Sequence, residues 1–138
     1  MEEKLVLPLL KRACDISLKA YAPYSGFGVG CAVLLKDGRI IEGVNVENAS
    51  YPVTLCAERA ALAQVVTQGL IHLVSAIAIV TKAVPPVFPC GMCRQFMDEL
   101  LPKNTPIIVG GHDGQWLKSD IAELLPYSFN RNSLEAEL

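Results

Sequence analysis

The sequence predicts an α/β protein, a three-layer α/β/α sandwich built on one mixed five-stranded sheet. Three observations carry that prediction. Two apolar runs, GCAVLLK and RIIEGVN, flank Asp37-Gly38, a dipeptide that favours a tight hairpin. Two later runs, LVSAIAIVT and PIIVGG, are almost continuously apolar, as strands buried on both faces are. Segments with helical spacing lie between them, so the order reads α-β-β-α-β-α-β-β-α. A hairpin followed by alternating helices and strands closes into one mixed sheet with helices on both faces.

Each element has a local reason. Over residues 2–20, Leu5, Leu9, Leu10, Ala13, Cys14 and Ser17 recur at helical spacing, and Pro8 marks a point near which the helix can begin. YAPYSGFGVG, residues 21–30, breaks that pattern with proline and glycine and is a loop. The hairpin follows, and then VENASYPVT, residues 46–54, is a polar loop. CAERAALAQVVTQG reads as a helix that Gly69 stops. LVSAIAIVT is a strand by length and β-branched content, and the prolines of AVPPVFP exclude a helix after it. CGMCRQFMDELLP is a helix ended by Pro102, and PIIVGG is a strand. GQWLK after Asp113-Gly114 is a last strand, SDIAELLP a short helix, and the chain from Tyr127 onward is expected to be loose.

The totals bound the function. The chain has 138 residues, 51% of them apolar and 19% charged, with a net charge of −2. That suits a single globular domain over residues 1–138, large enough to bury about two thirds of its unfolded surface without staples. No basic block provides a nucleic-acid footprint. No apolar run is long enough to span a bilayer, and the charged start, MEEKLVLPLLKRA, does not read as a signal peptide. A soluble, cytoplasmic protein is expected. There its five cysteines, Cys14, Cys31, Cys56, Cys90 and Cys93, serve metal binding or catalysis better than disulfides.

Cys90 and Cys93 sit at i and i+3 of a helix, on one face, where both can reach a common ion. Redox chemistry and core packing are the alternatives for such a pair alone. Upstream, however, TLCAERAAL carries Cys56 with Glu58 two residues on. The combination C-A-E followed by P-C-x-x-C matches the zinc deaminase signature, with cysteine in the place of its histidine. Three protein ligands leave the fourth zinc position open, as a catalytic site requires. Neither histidine competes as a ligand, because His72 and His112 both fall at boundaries or turns that read as surface.

With LCAERAAL and PCGMCRQ joined by NVENASYP and YAPYSGF, the chain resembles the small, homotetrameric, three-cysteine cytidine deaminases. The likeness runs from about Tyr21 to Phe129. It implies one Zn²⁺ per subunit on Cys56, Cys90 and Cys93, and hydrolytic deamination of cytidine and 2′-deoxycytidine to the uridines in pyrimidine salvage, with release of ammonia. Hydroxide generated at the zinc would attack C4 while Glu58 shuttles protons to N3 and to the leaving amine. Arg59 would hydrogen-bond the ligand sulfurs, which with helix N-termini offsets the charge of three thiolates. Arg94 also lies near the metal, with its side chain unplaced.

The likeness extends to the substrate. Asn45 and Glu47, two apart in an extended segment, point the same way and suit ribose hydroxyls, although a solvated loop edge is the plainer reading of such a pair. Phe27 would stack on the pyrimidine, or else fold into the core. Ala57 could offer its backbone carbonyl to the amine, and Tyr24 and Tyr51 are further aromatic candidates. Phe129 would reach the site of a neighbouring subunit. The substrate is then a free nucleoside, with no nucleic-acid or membrane partner. Three residues depart from the family's pattern: Gly28 replaces a proline, Phe88 a serine-like residue, and Met92 a smaller one. Gly28 should loosen its loop, and the other two should narrow or reshape the pocket. Deamination of a nucleoside antibiotic such as blasticidin S or of a polynucleotide, and a zinc-stabilised scaffold or nucleoside-binding module without activity, are the competing functions.

Overall fold

The computed structural model of the chain describes residues 1–135. Strands β1 (Gly30–Leu35) and β2 (Ile40–Val44) form the antiparallel hairpin, and Gly38 in its turn has φ +91°. Strand β3 (Val74–Thr81) lies antiparallel on the other side of β1. β4 (Pro106–Gly111) runs parallel to β3, and β5 (Trp116–Asp120) returns antiparallel to β4. The sheet order is β2-β1-β3-β4-β5, mixed and five-stranded.

Alternation along the strands builds two cores. Cys31, Val33 and Leu35 of β1, Ile77 and Ile79 of β3, and Ile107 and Val109 of β4 face one side. There they pack with helices α2 (Ala57–Thr67), α3 (Gly91–Leu100) and α4 (Ile121–Leu124). Ala32, Leu34, Ala76, Ala78, Val80 and Ile108 face the other side and pack with helix α1 (Val6–Ser17) through Val6, Leu9, Leu10 and Ala13. The α/β/α layering predicted from the sequence is therefore present, with the three central strands buried on both faces.

Gly43 sets the distance between α2 and the sheet. A Cβ there would stand 2.5 Å from the backbone nitrogen of Ala61 and 2.7 Å from the carbonyl oxygen of Ala57. Only glycine lets α2 approach β2 this closely, and α2 carries Cys56 and Glu58 at its start.

Several boundaries differ from expectation. Residues Glu3–Leu5 form a 3-10 turn before α1, which begins at Val6 and ends at Ser17, short of residue 20. β5 is shifted two residues toward the C-terminus, and this shortens the following helix to Ile121–Leu124. The reason is Asp120, which ends the strand and caps the helix by accepting the Glu123 amide at 2.9 Å. The segment after Tyr127 is not wholly loose: α5 occupies Arg131–Glu135, exposed throughout. The rest of the C-terminal tail, residues 136–138, lies outside the described residues. Among the described residues, no helix is long and apolar enough to cross a membrane.

Candidate metal centre

Cys56 caps the N-terminus of α2 and Cys90 that of α3, each in an extended conformation, while Cys93 is the third residue of α3. Neither capping side chain accepts a backbone amide of its own helix. The three Sγ atoms lie within 4.8 Å of one another. β3 and the proline-rich connection that follows it bring α3 beside α2, so two sequence-distant helix starts meet at one end of the sheet. Cys93 is buried, Cys56 half-buried and Cys90 exposed. Positive helix ends favour thiolate at all three.

The local electrostatics agree. The Cys56 thiol is held down to about 5, by its hydrogen bond with Cys93 and then by the Arg59 guanidinium. Cys93 is pushed up by the same hydrogen bond and by its burial. The hydrogen bond thus drives the pair apart, Cys56 toward thiolate and Cys93 toward thiol, and a cation bound by all three sulfurs would displace their protons. Arg59 donates from Nη2 to Cys56 Sγ at 3.5 Å and to the Thr54 carbonyl at 3.3 Å. Three soft thiolates in a compact triangle suit zinc, and they leave a coordination position for something other than protein.

Glu58, the second residue of α2, is 4% exposed. Burial raises its carboxyl above the usual range, against the pull of a hydrogen bond with Cys93. A carboxyl raised in this way holds a proton more readily than an exposed one.

The loop before β1 stands apart from the thiols. Glu47 Oε1 accepts the Tyr24 and Ser25 amides at 3.0 and 3.1 Å, and Oε2 accepts the Ser25 hydroxyl. Asn45 Oδ1 accepts the Val29 amide at 2.8 Å, and Nδ2 donates to the Phe27 carbonyl at 2.9 Å. Lys82, just past the end of β3, donates to the Gly26 carbonyl and lies 5.8 Å from the centre of the Phe27 ring. These side chains tie down the loop that Gly28 was expected to loosen. Gly28 itself lets the loop press against α1, since a Cβ there would stand 3.0 Å from the Ser17 carbonyl oxygen. Asn45 and Glu47 are not the solvated loop edge that such a pair would suggest without its motif context: Asn45 is buried and Glu47 partly so, and both are bonded to the loop.

A cleft of about 410 Å³ opens beside this loop, lined by Tyr24, Ser25, Glu47, Asn48, Tyr51 and Thr54. Tyr24 and Tyr51 meet edge to face at 6.1 Å. Thr54 links the cleft to the thiols through its carbonyl bond with Arg59. Ala57 is fully buried at the start of α2. Phe129 does not line the cleft: the residue is 63% exposed, and its carbonyl accepts from Gln95 Nε2 at 2.7 Å. Phe88 is half-buried against the core that α2 and α3 share. Met92 is exposed.

Residues that sequence reasoning missed, or in the case of Arg94 left unplaced, are the ones holding these pieces. Arg94 donates to the Pro89 carbonyl at 2.6 Å, fixing the turn before Cys90, and to the Leu124 carbonyl at 2.8 Å. Lys103 bridges the buried Asp98 carboxylate and the Ser128 hydroxyl. Helix α3 therefore carries one of the three sulfurs, is capped by a second, and also anchors the chain from Leu124 to Phe129. For Ser25, the available signal was a serine two residues before Phe27 in a loop, the pattern of a hydroxyl that bonds its own backbone.

This fold, with three convergent thiols at adjoining helix starts and a buried carboxyl beside them, defines an α/β protein with a site for a metal ion. Residues 5–109 match the family described as the cytidine and deoxycytidylate deaminase zinc-binding region, and the chain belongs to that family. The cytidine deaminase of Halalkalibacterium halodurans is 45% identical over 126 residues, which are 91% of this chain and 95% of the relative. The crystal structure of cytidine deaminase from Burkholderia pseudomallei superposes with a TM-score of 0.86 at 38% identity, covering 94% of this chain and 100% of that one. A blasticidin-S deaminase of Bacillus cereus is 32% identical over 111 residues, 75% of this chain and 78% of its own. Cys56, Cys90 and Cys93 are positioned to hold the metal of this zinc-binding family.

Proposed function

We propose that the chain is a zinc-dependent hydrolase converting cytidine and 2′-deoxycytidine to the uridines, with release of ammonia. The observation that carries this reading is the buried Glu58 beside three sulfurs within 4.8 Å of one another. A scaffold needs the sulfurs but not the carboxyl, whose burial costs free energy. Bound by the three cysteines, zinc supplies Lewis-acid activation of a water molecule as nucleophile.

The chain's own groups do the rest. Glu58 takes a proton from the attacking water, delivers it to N3 of the ring, and then carries another to the amine leaving C4. Its raised carboxyl suits that double role. Arg59 bonds the Cys56 sulfur and moderates the negative charge of the thiolates. The Ala57 carbonyl accepts from the ring amine. Phe27 stacks on the base, Tyr51 helps wall the cleft, and Asn45 and Glu47 bind the sugar hydroxyls. Phe129, exposed on this chain, enters the site of a neighbouring subunit in a homotetramer. Residues 1–138 form one catalytic domain, acting on free nucleosides in the cytoplasm.

The test is to incubate zinc-loaded protein with cytidine and follow uridine, with Glu58→Gln alongside. Wild type should form uridine. Glu58→Gln should keep its zinc and its melting temperature while kcat falls by about a thousandfold or more. Uridine from both proteins would remove Glu58 from the mechanism. Uridine from neither, with zinc bound, would turn the assay to blasticidin S, the substrate named for the Bacillus cereus relative.

A further inference from the structure

We infer that Ser25 is a positioning residue that sets substrate affinity by coupling Glu47 to Phe27. The inference rests on the sugar and base contacts proposed above and deepens them.

The Ser25 hydroxyl is a hinge between two side chains. It donates to Glu47 Oε2 and accepts the Phe27 amide at 2.9 Å. Its own amide donates to Glu47 Oε1 at 3.1 Å, beside the Tyr24 amide at 3.0 Å. A carboxylate has about four acceptor positions. Glu47 spends two on Oε1 and one on Oε2, which leaves one on Oε2 facing away from the serine. Asn45 is in the same state, with one amide hydrogen and one acceptor position remaining after its bonds to Phe27 and Val29. Each side chain is thus locked to the loop while keeping bonding capacity for a ligand.

Ser25 lines the cleft together with Glu47, Tyr24 and Tyr51, and it lies apart from the three sulfurs and Glu58. It touches no reacting atom. Removing its hydroxyl frees Oε2 of Glu47 and orphans the Phe27 amide in the same step. The sugar-facing carboxylate and the base-facing ring then lose their shared reference, while the metal site keeps all of its contacts. The expected signature is a loss of affinity with chemistry preserved.

Steady-state kinetics on zinc-loaded protein test this with wild type, Ser25→Ala and Ser25→Thr. Ser25→Ala should raise KM for cytidine about tenfold, the scale of one hydrogen bond to a charged group, with kcat within about twofold. Ser25→Thr keeps the hydroxyl and should bring KM back to within about threefold of wild type. With 2′,3′-dideoxycytidine, which lacks the 2′ and 3′ hydroxyls, the alanine penalty should shrink, because the carboxylate has nothing left to hold. An unchanged KM in Ser25→Ala would overturn the inference. So would a fall in kcat matching the rise in KM, a threonine variant as impaired as alanine, or an undiminished penalty on the dideoxy substrate. If wild type itself leaves cytidine untouched, it is the proposed function that fails.

Discussion

Cys56, Cys90, Cys93 and Glu58 stand at the first turns of two helices, while Phe27, Asn45, Glu47 and Ser25 stand on irregular chain between α1 and α2. The helical end is placed by main-chain geometry and by apolar packing beneath it. The loop end is placed by side-chain hydrogen bonds reaching across the chain, from Glu47, Asn45 and Lys82. A catalytic centre needs fixed positions, and helix starts over a packed core supply them. A cleft that must admit and release a small ligand is better held by bonds that each cost little to break.

The sharpest way to break this contrast is at a sulfur. Cys93→Ala should bring zinc, measured by atomic absorption, from one per chain to near zero, and turnover to background. A variant that still holds zinc stoichiometrically would mean that two sulfurs suffice. A step down in scale is Gly43→Ala, on the strand beneath α2. Its Cβ meets the α2 backbone at 2.5 Å, so the helix must move. The cost should be about 2 kcal/mol, or roughly 6 °C in Tm by calorimetry. Because α2 carries Glu58, kcat should fall by about a hundredfold while KM holds.

At the loop end the effects should be smaller and fall on KM. Glu47→Gln should raise KM for cytidine about tenfold with little change in kcat. Glu47 is also the group whose protonation is visible. The Ser25 hydroxyl, then the Ser25 and Tyr24 amides, hold its carboxyl below the usual range. Its folded pKa is depressed, so the tether is fully present above about pH 4.3 and is lost as pH falls through the lowered value. NMR shifts of the Ser25 and Tyr24 amides should follow a midpoint below about 4.3. A midpoint above that value would sever the link between serine and carboxylate. The smallest effect belongs to Lys82→Met. It removes one exposed contact with the Phe27 ring and one bond to Gly26, and should raise KM by less than about threefold.

The same contrast explains what is legible in the sequence. The sulfurs and Glu58 are readable because C-A-E and P-C-x-x-C are local spacings on helix starts, and a helix start has few geometries. The hairpin at Asp37-Gly38 and the buried strands are readable for the same reason. The loop tethers are not. Ser25 meets Glu47 across 22 residues, Arg94 meets Leu124 across 30, and Lys82 meets Gly26 across 56. No periodicity reports a bond between a side chain and a distant carbonyl. The start of α4 escapes sequence reading because Asp120 does two jobs, ending a strand and capping a helix.

The division of the three sulfurs between α2 and α3 has a kinetic meaning. Neither helix alone presents more than two of them, so we expect a metal ion to leave when one helix start lifts from the sheet. Release into a chelator then becomes a clock for local opening. Its rate, plotted against chelator concentration, should reach a plateau set by the protein's own breathing and not by the competitor.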